Sequence, residues 1–326
     1  MRAFEYASPA TAELAVKALG GGSDCAVLAG GTDLINRMKD EVSTPARVVH
    51  IAGIKTLSGI DGEVVGAATT LAALVASKAI KDKYPALWQA ASEVGAVQLR
   101  NMATVGGNLL QRPRCWYYRT GNGLLAMKDG KSLVRAGDNR YHAIFMTDGD
   151  ALFVAPSSLA VALIALGAKA TILGADGKER TVAIEDLYSV PKAEGESELT
   201  IGKGEILTKV ILPKSVGKSA SYEAREKQSY DWPLAIASAH VTLEGDTVKS
   251  ARIVLGSVAP VPIRCEAAEA ALVGKALTME TAAAAAAAAA VKSAKPLSNN
   301  AYKVKLAEVA VKRALLAAVG KTYWEG

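Results

Sequence analysis

The chain holds only three cysteines and three histidines in 326 residues, and Phe, Trp and Tyr together make up 5 % of it. Cys25, Cys115 and Cys265 lie far apart, with no CxxC pair, which excludes a disulfide framework and suits a reducing compartment. A side-chain zinc site would have to gather nearly all of these thiols and the imidazoles of His50, His142 and His240, so a purely side-chain metalloenzyme is excluded. The N-terminus, MRAFEYASPATAEL, lacks the apolar run of a secretory signal, and the expectation is a cytoplasmic chain. The longest uncharged apolar stretch, 151–168, is cut by Pro156-Ser157-Ser158. That leaves a strand at 152–154 and a helix over 158–167, too short to cross a bilayer, so no membrane insertion is expected.

Familiar nucleotide and hydrolase motifs are missing as well. No GxGxxG opens a helix, which leaves a Rossmann dinucleotide site unsupported. Gly130-Lys131-Ser132 and Gly320-Lys321-Thr322 look like P-loop tails, but Leu125 and Leu315 stand where the motif needs glycine. There is no GxSxG elbow. The formal charge is +6, yet Lys and Arg are scattered among acids, with no zinc finger, RNA-recognition signature or basic arm. Nucleic acid is therefore not the expected partner. Mild basicity suits an anionic cofactor or an acidic partner subunit.

What is present is an aliphatic, alanine-rich globular chain, 50 % hydrophobic and 21 % charged, long enough for about two domains. The first fifty residues read as a β-α-β unit: a strand near 4–6, Ser8-Pro9 as a helix start, a helix over 10–19 stopped by Gly20-Gly21-Gly22, and strands at 25–28 and 47–51. A second set begins near 60, with a strand at Val64-Val65, a helix from Thr69-Thr70 to about Ile80, a helix over 84–95 and a strand at 169–173. Residues 112–150 form a long polar loop. A linker is expected at 213–221. Beyond it, 234–243 and 248–258 alternate as a hairpin about Glu244-Gly245-Asp246, followed by helices over 264–273, 278–294 and 299–319. The run Ala282–Ala290 is a strong helix former.

Two segments carry candidate chemistry: Ala29-Gly30-Gly31-Thr32-Asp33-Leu34, preceded by Leu28, and Ala103-Thr104-Val105-Gly106-Gly107-Asn108. Paired glycines remove Cβ atoms and let backbone N–H groups close on phosphate oxygens, while Thr32 and Thr104 add hydroxyl donors. Two such turns could cradle a pyrophosphate from both sides. Taken singly, each also reads as an ordinary tight turn.

In this order and at this separation, the two segments resemble the FAD-binding medium subunit of the xanthine dehydrogenase and carbon monoxide dehydrogenase family of molybdenum hydroxylases. The likeness continues through Glu205-Ile206-Leu207, Leu212-Pro213, Leu255–Pro260 with Arg264, Tyr302-Lys303 and Arg313-Ala314, and so covers nearly the whole chain. It implies an α+β fold: two FAD-binding subdomains of the PCMH type, at 1–58 and 59–213, and a C-terminal domain of antiparallel sheet and helices at 219–326. It further implies FAD bound by Leu28 to Leu34, by Ala103, Thr104, Gly106, Gly107 and Asn108, and by Leu187 against the isoalloxazine, with no catalytic side chain in this subunit. Asp33 and Asn108 would hold turn geometry or ribityl hydroxyls. The partners implied are a large subunit with the molybdenum cofactor and a small subunit with 2Fe–2S clusters.

The segment Leu109–Arg119 is similar to the flavoprotein subunits of periplasmic aldehyde oxidoreductase and 4-hydroxybenzoyl-CoA reductase, whose loop holds a 4Fe–4S cluster on four cysteines. Here only Cys115 stands in the loop, and the places near Leu124, Ser132 and Ala151 carry no sulfur, so no such cluster is expected. Near Tyr222–Arg225 the family usually has a cofactor-contacting lysine where this chain has Glu223. A carboxylate there repels an anionic flavin by about 1 kcal/mol or more, with Arg225 or Lys227 able to compensate, and Glu223 stays outside the site set. Three readings follow: an electron-transfer flavoprotein subunit, a structural subunit with weakened flavin binding, and a stand-alone flavin oxidase. The last is disfavoured, since no His or Cys is placed for covalent flavin attachment. In this family export folded with a signal-bearing partner gives a periplasmic alternative to the cytoplasm.

Overall fold

The computed structural model describes residues 1–20, 24–214, 217–277 and 280–322, and shows there three sheets with helices packed on them and one two-stranded hairpin. The first sheet is parallel, with Arg47–His50 between Glu5–Ala7 and Cys25–Leu28. Its helix, Ala12–Leu19, buries Ala12, Ala15, Val16 and Leu19, one stripe at helical spacing. The Thr11 hydroxyl caps it by accepting from the Leu14 N–H, whereas the sequence points to Ser8. Thr11 directly precedes the buried stripe, so the chain stays irregular past Pro9 and coils where burial begins. Gly20, at φ +61°, ends the helix; the expected stop at Gly21 and Gly22 lies outside the described residues.

The second sheet is antiparallel and runs in the order Ile60–Asp61, Val64–Gly66, Ile206–Ile211, Lys169–Leu173, Glu179–Ala183. Its middle strand arrives from far along the chain. The helix expected from Thr69-Thr70 to Ile80 is two helices, Leu71–Ala76 and Lys78–Lys83, because Ser77 leaves the first and caps the second through the Ile80 N–H. Residues 152–154 form no strand; the chain bends at Phe153, with the Leu152 carbonyl accepting from the Ala143 N–H and the Ala155 N–H donating to the Ala259 carbonyl.

In the third sheet Lys218–Ala224, Ala235–Glu244, Thr247–Gly256 and Ile263–Arg264 follow one another antiparallel. The expected linker therefore ends at Lys218, where a seven-residue strand begins. Helices Glu266–Leu272, Glu280–Val291 and Tyr302–Ala318 pack together beside it, and the expected start of the middle helix at Thr278 lies outside the described residues. The alanine run is core rather than surface: Ala283, Ala286, Ala287 and Ala290 are buried.

The helix Ser158–Leu166, apolar on every side, welds the second sheet's unit to the third sheet, and every residue in it is buried. The approach is so close that a Cβ on Gly256 would lie 2.3 Å from Val161 Cγ2. The 112–150 excursion folds into two one-turn helices, Trp116–Arg119 and Leu133–Ala136, and a small hairpin, Met127–Lys128 with Lys131–Ser132. Lys303, 1 % exposed, clamps it to the third unit by donating to the carbonyls of Tyr141, His142 and Ser257 at 3.3, 3.0 and 2.8 Å. Among the described residues no helix is long and apolar enough to cross a membrane.

Candidate cofactor-binding site

Where the parallel sheet meets the antiparallel one, the two glycine segments touch. Gly30 packs directly on the backbone of Met102 and Ala103, and an added Cβ would lie 1.7 Å from the Met102 carbonyl oxygen. Ala103–Asn108 is no turn: Thr104 caps a helix, Val105–Leu109, through the Gly107 N–H at 3.1 Å. Its other leading N–H groups are taken too, Val105 by the Thr69 carbonyl, Gly106 by Ala67 and Asn108 by Thr104. The first segment is different. Gly31, at φ +73°, turns the chain, and among the described residues the N–H groups of Gly31, Thr32 and Asp33 meet no protein acceptor. Successive free N–H groups around a left-handed residue form a concave anion site.

Two clefts open here. The first is lined by Ala29 to Leu34, Thr104, Gly106 and Gly107, together with Arg37, Ile201 and Glu205. The second includes Ala103, Asn108, Arg114 and Glu223. Thr32, Gly107 and Gln111 belong to both, so the clefts are continuous. Leu28 lines neither and packs toward Leu34 and Met38. Leu187 lines neither: it is fully buried in the main core, within the 3-10 turn Ile184–Leu187, so it is a packing residue. Asn108 lines the second cleft and also reaches into the fold, its Oδ1 accepting from Ser157 Oγ at 2.8 Å and the Leu159 N–H at 3.3 Å, so it holds the helix start at Ser158.

Asp33 does more than shape its turn. Its carboxylate pairs with Arg37, Arg114 and Arg119 at 3.2, 3.1 and 2.8 Å and accepts from the Arg112 N–H. Burial works to raise the Asp33 carboxyl, but Arg114, Arg119 and Arg37 outweigh it and hold it below the usual carboxylate range. One anion against three guanidiniums leaves local positive charge, and Arg37 and Arg114 each line a cleft. Burial lowers Arg114 to about 10, still cationic at neutral pH, and it lies over the Trp232 ring at 4.3 Å. Arg37, Arg114 and Gln111 line the clefts, and with Arg119 they were passed over by motif reading, although the density of arginine in Gln111–Arg119 was the available signal.

The strand Lys218–Ala224 brings Glu223 to the second cleft, with its side chain 3 % exposed. Arg225 Nε stands 3.8 Å from it, while Arg225 pairs with Glu93. Cys115, in the excursion, has its Sγ 3.2 Å from His142 Nε2. Burial raises the thiol and lowers His142 to about 4, so both are neutral. Among the described residues no three His, Cys, Asp or Glu side chains stand close enough to hold a metal ion.

Residues 2–215 match the family model described as the FAD binding domain in molybdopterin dehydrogenase, and residues 220–318 match the CO dehydrogenase flavoprotein C-terminal domain. The chain belongs to the FAD-binding subunits of this oxidoreductase family. It is 30 % identical to the FAD-binding subunit of an aldehyde oxidoreductase from Escherichia coli, over 94 % of this chain and 96 % of that one. It is also 30 % identical to the carbon monoxide dehydrogenase medium chain of Hydrogenophaga pseudoflava, over 97 % and 96 %. The solved carbon monoxide dehydrogenase of the same organism superposes with a TM-score of 0.76 at 28 % identity, covering 98 % of both chains. The glycine-lined clefts of this flavoprotein chain suit the cofactor its family binds: free N–H donors and the guanidiniums of Arg37 and Arg114 answer a pyrophosphate, and the cleft continues on both sides.

Proposed function

We propose that this chain is the FAD-carrying electron-transfer subunit of a heteromeric molybdenum-dependent dehydrogenase. Electrons from a substrate oxidised on a molybdopterin-binding large subunit would pass 2Fe–2S clusters on a small subunit, reach the flavin here and leave to an external acceptor. The observation that carries this reading is the pair of continuous clefts bracketed by the free N–H groups of Gly31–Asp33 and the arginines gathered on Asp33. FAD, when bound, supplies the step between one-electron carriers and a two-electron acceptor.

The chain's own residues bind, orient and insulate. Gly31, Thr32 and Asp33 offer backbone donors; Arg37 and Arg114 supply positive charge; Gln111, donating to the Asn108 carbonyl and accepting from Arg114, keeps the junction of the clefts rigid. No side chain need act as a general acid or base on the substrate, and the subunit alone is expected to oxidise none. The working compartment in this reading is the cytoplasm, or the periplasm after folded export with a signal-bearing partner.

The test is anaerobic rapid mixing of the reconstituted complex with its oxidisable substrate while flavin absorbance is followed. Bleaching of the 450 nm band within turnover time is the expected result. A flavin that stays oxidised while substrate is consumed overturns the electron-transfer role, and a colourless complex favours a structural subunit.

A further inference from the structure

Glu223 closes the second cleft between the two glycine segments, facing the same space as Thr32, Gly107 and Asn108. Its Oε1 is buried and has no hydrogen-bond partner among the described residues. A buried carboxyl oxygen left unpaired destabilises the fold, and nothing in the sheet requires a carboxyl there. The missing partner is therefore sought in the cleft. We propose that Glu223 contacts the bound flavin as a neutral carboxyl that donates a hydrogen bond to it, so that FAD binding takes up a proton wherever the free group is ionised. This rests on the flavin reading above.

The surroundings decide the protonation state. Arg114 is committed to Asp33; Arg225 stands 3.8 Å from the Glu223 carboxylate but pairs with Glu93, while Glu93 and Asp231, on the helix and loop that line the same cleft, add negative charge. Tyr230 completes that wall, and its hydroxyl donates to Gln98. Burial pushes the carboxyl up to about 7, with the neighbouring Ser158 hydroxyl favouring the ionised form. In the flavin-free chain the group therefore ionises near neutrality. An anionic cofactor beside it raises that midpoint further, and binding above pH 7 takes up a proton.

The experiment is titration of the flavin-stripped full-length chain with FAD, read by fluorescence quenching from pH 6 to pH 8.5, together with calorimetry in buffers of different ionisation enthalpy. The wild-type Kd is expected to rise about tenfold per pH unit above pH 7, with about one proton taken up per FAD at pH 8. In E223Q the Kd is expected to stay within about threefold across the range, because the amide keeps a donor and cannot ionise. Parallel pH profiles for wild type and E223Q overturn the proposal. So does the absence of proton uptake by the wild type, a readout that needs no variant to fold. A wild-type chain that binds no FAD at any pH overturns the flavin reading itself, and this inference falls with it.

Discussion

The segments Leu28–Leu34 and Ala103–Asn108 look alike in sequence, each a pair of glycines beside a threonine, yet they do opposite work. In the second, every leading N–H has an acceptor inside the fold, and Gly106 exists to clear Ala67, whose Cβ and carbonyl would stand 3.0 and 3.1 Å from an added Cβ. In the first, three consecutive N–H groups face a cleft and the one carboxylate gathers arginines. One segment is a wedge that fixes where two units meet; the other is the donor array aimed by that wedge. A glycine pair therefore reports close approach, and whether a ligand or the protein's own backbone comes close is settled by where the N–H groups go.

The largest expected effect comes from destroying the contact between them. G30A sets a Cβ against the Met102 carbonyl, which cannot yield as a side chain would. A loss of at least about 4 kcal/mol in chemical unfolding, with flavin lost, is expected. D33A comes next. It takes the carboxylate from three partly buried guanidiniums, and about 3 kcal/mol of stability should go, measured by the same unfolding.

Glu223 gives a smaller, pH-dependent effect in the flavin-free chain. Its folded midpoint, about 7, lies above the ordinary carboxylate value of 4.5. Below pH 4.5 the group is neutral in both states and contributes nothing. Between 4.5 and 7 the unfolded chain ionises first and the fold loses stability; above 7 the whole penalty, about 3 kcal/mol, is present. E223Q should therefore stabilise the chain against heat at pH 8 and leave melting at pH 4 unchanged. The smallest effects sharpen the comparison most. G31A and T104A should each cost about 1 kcal/mol, the first through left-handed strain and the second through a lost helix cap. Only G31A should weaken FAD binding, by more than about tenfold, since only that segment has N–H groups left without a protein acceptor among the described residues.

Much of this was legible in the residues. The helix from Ser158 follows from a charge-free run cut by proline and serine, and the strand at 169–173 from the apolar stretch after it; the observed elements are Ser158–Leu166 and Lys169–Leu173, while the strand expected ahead of the cut, at 152–154, does not form. Non-local pairing was not legible. The strand Lys218–Ala224 looked like a linker because its pattern, KSASYEA, is small and polar; it is a strand because Ala235–Glu244 pairs with it along its length. Leu187 and Asn108 show the same limit at the site. The resemblance implies Leu187 against the isoalloxazine and Asn108 holding either turn geometry or ribityl hydroxyls; tertiary packing puts Leu187 in the core, and Asn108 braces Ser157 while it lines the second cleft. Asp33 was visible as a site residue, but its three arginines come from 4, 81 and 86 residues away, and only the fold brings them to it.

The most direct measurement is the flavin content of the purified complex, taken as FAD released by heat per copy of this chain, for wild type and G31A side by side. About one FAD per wild-type chain, falling steeply in a folded G31A, is the expected result. A stoichiometric wild-type complex without flavin, or a G31A complex that keeps all of it, would contradict the assignment of Gly31–Asp33 as the cofactor's cradle.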